Sequence, residues 1–286
     1  MTSRSSHSLM LAAALAAFAA PAHAEGWSFS TGADYTSGDY GEAVDTNIWI
    51  VPFTAGYSTD RWRIGVTVPY VRLEGSGNII PGTGAGTTGA SSGANASTPL
   101  GLGGSGGLLN TGLFGSSAPS ASPPPTPVRI AEEGLGDVTL SLGVTPYVGD
   151  AGDRFTLGLD LRTPTGDEDR SLGAGQSIGA LSAEYAHPLG DRAAIYAALG
   201  YQRAFDTEDE STTATIGAES YLSDRFLLGA SASWAEASLD NQPNETEATL
   251  YASFAATDHV RLVGYALAGL SDTAPNSGAG FRIVLH

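Results

Sequence analysis

The sequence contains no cysteine and no lysine. The first absence excludes a fold stapled by disulfides. The second leaves arginine, apart from five histidines, as the cation for every ion pair. Charge itself is scarce, at 15% of residues, and it is lopsided: 30 acids face 13 arginines, a formal net charge of −17. That sign excludes a nucleic-acid partner. Long apolar runs are nearly absent too. The one present, Leu9 to Ala20, follows Arg4 and ends at Pro21 and Ala22-His23-Ala24. It is shorter than the ~20 residues a spanning helix needs and carries a small-residue cleavage pattern. Residues 1–24 therefore read as a signal peptide, and 25–286 as a single domain.

What the rest of the chain has is period two. Trp49, Val51, Phe53, Ala55 and Tyr57 alternate with small or mixed residues, and so do Trp62, Ile64, Val66, Val68 and Tyr70. Phe155, Leu157, Leu159 and Leu161 repeat the pattern, as do Phe226, Leu228, Ala230, Ala232 and Trp234. This is the strand period, not the helical one. Between the strands a short motif recurs: STDRW (58–62), GDRF (152–155), GDRA (190–193), SDRF (223–226) and TDHV (257–260). Each copy reads as a tight hairpin turn in which Asp bonds its own backbone.

Two strands of about 10 residues and one longer connection fit between successive copies, the dimensions of a membrane-spanning barrel strand. Five short turns and six longer connections (36–45, 75–134, 165–177, 206–211, 238–246 and 271–276) close the count. The expected fold is all-β, an antiparallel up-and-down transmembrane β-barrel of about 12 strands. Both termini then lie on the short-turn, periplasmic side. Trp27, Trp62, Phe155 and Phe226 at one end and Tyr70, Tyr201 and Trp234 at the other fit two interfacial girdles. A soluble sandwich or propeller with the apolar face inside is the competing architecture.

For chemistry the sequence offers little. His187, His259 and His286 all fall at or near turns, without the carboxylate or hydroxyl arrangement that nucleophilic catalysis needs. No metal-ligand spacing and no cofactor motif is present. The stretch GTGAGTTG is glycine-rich, but no lysine follows it, so it is no phosphate cradle. Acids cluster on three long connections, at Asp39, Glu42 and Asp45, at Asp167, Glu168 and Asp169, and at Asp206, Glu208, Asp209 and Glu210. They read as loop solvation, divalent bridges to lipopolysaccharide, or an acidic mouth. On the wall, Asp160, Glu184 and Glu219 at mid-height and Arg63, Arg261 and Arg282 nearer the turns have lumen parity. A charge in mid-bilayer lipid costs about 2–4 kcal/mol for Arg and less for an acid, so these side chains are expected to line the lumen. The long, charge-free connection at 75–134 offers Leu108, Leu109, Leu113 and Phe114 as an inward-folding constriction.

YTSGDYG (35–41), VPFTAGYSTDRWRIGVTVPYVRLEGSGNI (51–79), GLGDVTLSLGVTPY (134–147) and LRTPTGDEDRSLGAG (161–175) resemble the outer-membrane transporter family named after the meta-pathway of phenol degradation. The resemblance implies a barrel passing small, often aromatic or hydrophobic compounds, with no catalytic residues to carry over. Two features depart from that pattern, the low-charge insertion at about 82–128 and a final His286 where such barrels end in Phe. The function expected is a non-enzymatic outer-membrane channel. Its partners are lipid, lipopolysaccharide, a small-molecule solute and the barrel assembly machinery. The alternative is a structural or adhesive barrel with a filled lumen.

Overall fold

In the computed structural model, the residues described are 26–40, 44–76, 96–97, 103–104, 129–207, 209–236 and 244–286. Apart from a two-residue ladder, Ala96–Ser97 with Gly103–Gly104, they build one sheet. Its strands are β1 (Gly26–Gly38), β2 (Thr46–Ser58), β3 (Trp62–Ser76), and β4 in two pieces, Arg129–Leu135 and Val138–Val148. They continue as β5 (Arg154–Thr163), β6 (Ile178–Pro188), β7 (Ala193–Ala204) and β8 (Glu210–Ser223). The last four are β9 (Phe226–Ala235), β10 (Glu245–Ala255), β11 (Val260–Gly269) and β12 (Ser277–Leu285).

Each strand pairs antiparallel with its neighbours in sequence, and β1 pairs with β12, so the sheet closes and has no edge. The closed sheet is a twelve-stranded transmembrane β-barrel. Its faces show why. Along β2, Thr46, Ile48, Ile50 and Pro52 are buried, while Trp49 and Phe53 are 47% and 40% exposed. The same alternation puts Leu140, Leu142, Leu157, Leu159, Leu199, Ile216 and Leu250 outside. So much exposed apolar surface is stable only in hydrocarbon. Aromatic contacts mark both ends of this belt. Trp27 and Trp62 each lie about one ring away from Tyr57, with centroids at 5.5 and 5.6 Å, while Tyr35 lies 4.6 Å from Trp49 near the other end.

The strands run longer than the alternation alone suggests, and the connection read as 75–134 is shorter at both ends. β3 continues to Ser76, and β4 resumes pairing at Arg129. The turns correct the sequence reading in another respect. The hydroxyl preceding the Asp, and not the Asp, ties the backbone in three of the five copies. Thr59 Oγ1 accepts from the N–H of Trp62 at 3.2 Å, Ser223 Oγ from Arg225 at 3.4 Å, and Thr257 Oγ1 from His259 at 3.2 Å. In the other two, Gly152 and Gly190 turn the chain with φ of 90° and 73°.

A second device shapes the inner face. Four large inward side chains lie flat across a glycine that is their direct partner on the next strand: Arg63 over Gly143, Tyr196 over Gly217, Tyr251 over Gly229 and Tyr265 over Gly280. A Cβ at Gly229 would sit 2.2 Å from Tyr251 Cζ. Gly229→Ala therefore forces the ring off the wall, and overpacking of this kind costs about 1–3 kcal/mol. Urea unfolding in detergent should show that loss, and Gly229→Ala should cost less when made in a Tyr251→Ala background, where no ring is displaced.

Candidate functional site

The barrel interior is the candidate site, and period-two alternation alone delivers charged residues to it. Arg63 (7% exposed), Glu219 (3%) and Arg282 (4%) are buried on the inward parity, and Asp160, Glu184 and Arg261 share that parity at intermediate exposure. The structure gathers these six into separate networks. Arg63 feels the fields of Glu184 and Asp160 from across β4 and β5. Arg261 Nη1 donates to Ser253 Oγ at 3.3 Å. Arg282 Nη2 donates to Asp34 Oδ2 at 2.5 Å, and Tyr265 OH donates to the other oxygen of Asp34 at 2.8 Å. Tyr251 OH donates to Glu219 Oε2 at 3.3 Å and meets Tyr196 OH at 3.2 Å.

Asp34, Tyr196, Tyr251 and Tyr265 are thus members of the polar band that the sequence reading left out. A signal for Asp34 was available: it has the parity opposite to Trp27 and Tyr35 on one strand. Register places the band on one level. Glu219, Gly229, Tyr251, Tyr265, Gly280 and Asp34 are consecutive cross-strand partners from β8 round to β1.

Towards the loop end the inner wall turns apolar. Ile48, Ile50, Val71 and Leu73 of β2 and β3 form a buried cluster with Tyr40 and with Leu172. Burial pushes the Tyr40 phenol up, and its OH donates to Thr36 Oγ1 at 2.8 Å. Leu172 belongs to the connection between β5 and β6, and it is only 2% exposed. This connection folds into the barrel mouth because β4 is interrupted at Gly136 and Asp137. There the Asp137 carboxylate accepts from Gly166 N at 2.9 Å and from Ala174 N at 2.7 Å, holding both ends of the segment that carries Leu172. Thr165 Oγ1 adds a tie, accepting from Val138 N at 2.8 Å. Outside the mouth, Arg170 Nε donates to Glu132 Oε2 at 2.7 Å.

Among the described residues, therefore, Leu172 and Tyr40 are side chains from connections that fold into the apolar cluster. Leu108, Leu109, Leu113 and Phe114 lie outside the described residues, as do Glu42 and Glu208.

Similarity to solved structures supports the architecture. An outer membrane channel from Pseudomonas putida F1 superposes with a TM-score of 0.59 at 16% identity, over 93% of this chain and 97% of that one. The translocator domain of the autotransporter NalP from Neisseria meningitidis superposes with a TM-score of 0.50 at 12% identity, over 98% and 96%. No protein-family model and no curated protein matches the chain. At these identities the likeness is one of fold. The two neighbours carry different roles on it, so function must be argued from the interior.

At the turn end, His187 sits on the outward face. Its Nδ1 is 2.5 Å from Asp153 Oδ1, to which Tyr185 OH donates at 2.8 Å. These bonds, that from His187 first, hold the Asp153 carboxyl below its usual range. The histidine is a clasp between β6 and the turn before β5.

Proposed function

We propose that this chain is a passive channel of the bacterial outer membrane for small solutes, hydrophobic and aromatic compounds included. Its turns and both termini face the periplasm, and its wall is surrounded by lipid and lipopolysaccharide after insertion by the barrel assembly machinery. The observation that carries the reading is the polarity of the inner face. This interior holds arginines with unmet hydrogen-bond demand. Arg154 Nε and Arg162 Nη1 are buried without a hydrogen-bond partner among the described residues. Buried guanidinium groups require partners, and in a lumen water or a solute supplies them. The resemblance of four stretches to the family named after the meta-pathway of phenol degradation favours aromatic solutes, and the apolar patch around Leu172 is chemically suited to them. The six charged wall residues Arg63, Asp160, Glu184, Glu219, Arg261 and Arg282 set ion preference in this reading.

One observation favours the filled barrel instead. Asp34, Ile48 and Leu73 are 0% exposed and Tyr251 is 1% exposed, so the interior is tightly packed in this state. Planar-bilayer recording of the refolded mature chain decides between them. Discrete openings are expected, and Asp160→Arg should shift the reversal potential towards anions. Silence at every voltage hands the interior to a structural role. Openings whose selectivity ignores Asp160 remove that residue from the path.

A further inference from the structure

The Asp-Arg copies at the turns are not needed to make the turns, since hydroxyls or positive-φ glycines do that. Asp224 and Arg192 project from neighbouring turns with side chains 97% and 64% exposed, 3.7 Å apart. Directly above them, the outward face of β7–β9 is hollowed. Here four alanines, Ala197, Ala218, Ala230 and Ala232, lie between the exposed side chains of Ile195 and Ile216. The result is an apolar groove of about 570 Å³ flanked on the β6 side by Tyr185 and His187.

We infer that this groove and the charged turns beneath it form a docking site for one phospholipid with a phosphoethanolamine headgroup. The inference rests on the membrane reading above but not on the lumen being open. An acyl chain fills the hollow left by the alanines, where the wall otherwise contacts lipid through larger side chains. The headgroup then reaches the turns. Its phosphate is complementary to Arg192, and its ammonium to the exposed Asp224. A phosphatidylglycerol head offers the phosphate without the ammonium for Asp224.

The test uses the full mature chain reconstituted in vesicles with equal phosphatidylethanolamine and phosphatidylglycerol of matched chains, then released into mild detergent for native mass spectrometry. One phosphatidylethanolamine per barrel should survive release, preferred about fivefold, the scale of exposed charge pairs. Asp224→Asn with Arg192→Gln should abolish the preference while leaving a lipid bound, and Ala230→Leu should remove the lipid. If Ala230→Leu fails to fold, judged by heat-modifiable gel mobility, the exposed charge pair alone decides. Equal retention of both lipids by the unaltered chain, or a preference that survives the charge changes, overturns the site. A silent bilayer recording with selective lipid retention would sink the channel and leave this site standing.

Discussion

Asp34→Leu should destabilise the barrel by about 3–5 kcal/mol, while Asp34→Leu combined with Arg282→Met should recover most of that loss. Asp34 is fully buried on β1, and Arg282 is 4% exposed on β12, so their 2.5 Å contact lies across the seam where the first and last strands close the wall. Two charges buried in this way are costly to desolvate, and their mutual attraction with added hydrogen bonds offsets the cost. Tyr265 supplies one such bond to Asp34. Removing the acid alone strands a guanidinium that cannot shed its charge. Removing both leaves an apolar contact of similar volume, which is often neutral. Denaturant unfolding in detergent, followed by the mobility shift between folded and unfolded barrel, measures both variants. Equal stability of the single and double variants would show that the pair does not hold the seam.

The closure that this pair guards is also where sequence reading reached its limit. Alternation made the strands legible because each position of a barrel wall answers to only two environments, lipid and lumen. Trp49 against Ile48, or Leu159 against Asp160, reports that choice locally. The turns were legible for the same reason, as breaks in the alternation. What alternation cannot report is which inward residues meet, since that depends on the stagger between strands. Arg282 was recognised as inward, but its partner stands 248 positions away. Only the closed register brings the two together.

The inward position of Leu172 was obscured by a different cause. Leu172 lies in GDEDRSLGAG, where acids on one side and glycines on the other mark a solvated loop. The forces that pull it inward are two backbone N–H groups seeking the carboxylate of Asp137, and backbone groups leave no trace in a sequence pattern. Leu108, Leu109, Leu113 and Phe114, bulky and apolar in a charge-free stretch, lie outside the described residues, so Leu172 stands beside that expectation and does not replace it. Asp137 itself was visible within GLGDVTL, but as one more residue in a strand.

Asp137→Ala should free that loop and raise the single-channel conductance, with noisier openings than the unaltered chain shows. The carboxylate is 7% exposed and bonds the chain on either side of Leu172, at Gly166 N and Ala174 N. A hydrogen bond to a charged group contributes about 1.5–3 kcal/mol, so losing both loosens the loop by several kcal/mol on that scale. Thr165 still bonds Val138 across the break, so the segment pivots at one end and is not lost from the mouth. Leu172→Ala separates width from motion. It keeps both carboxylate bonds and removes only the side chain from the cluster with Ile48, Val71 and Leu73. Conductance should then rise without added noise. Asp137→Asn, which keeps one carbonyl acceptor, should fall between the unaltered channel and Asp137→Ala. If Asp137→Ala matches the unaltered chain in both conductance and noise, the loop does not restrict the path, and the narrowest passage lies in the band formed by Glu219, Tyr251 and Asp34.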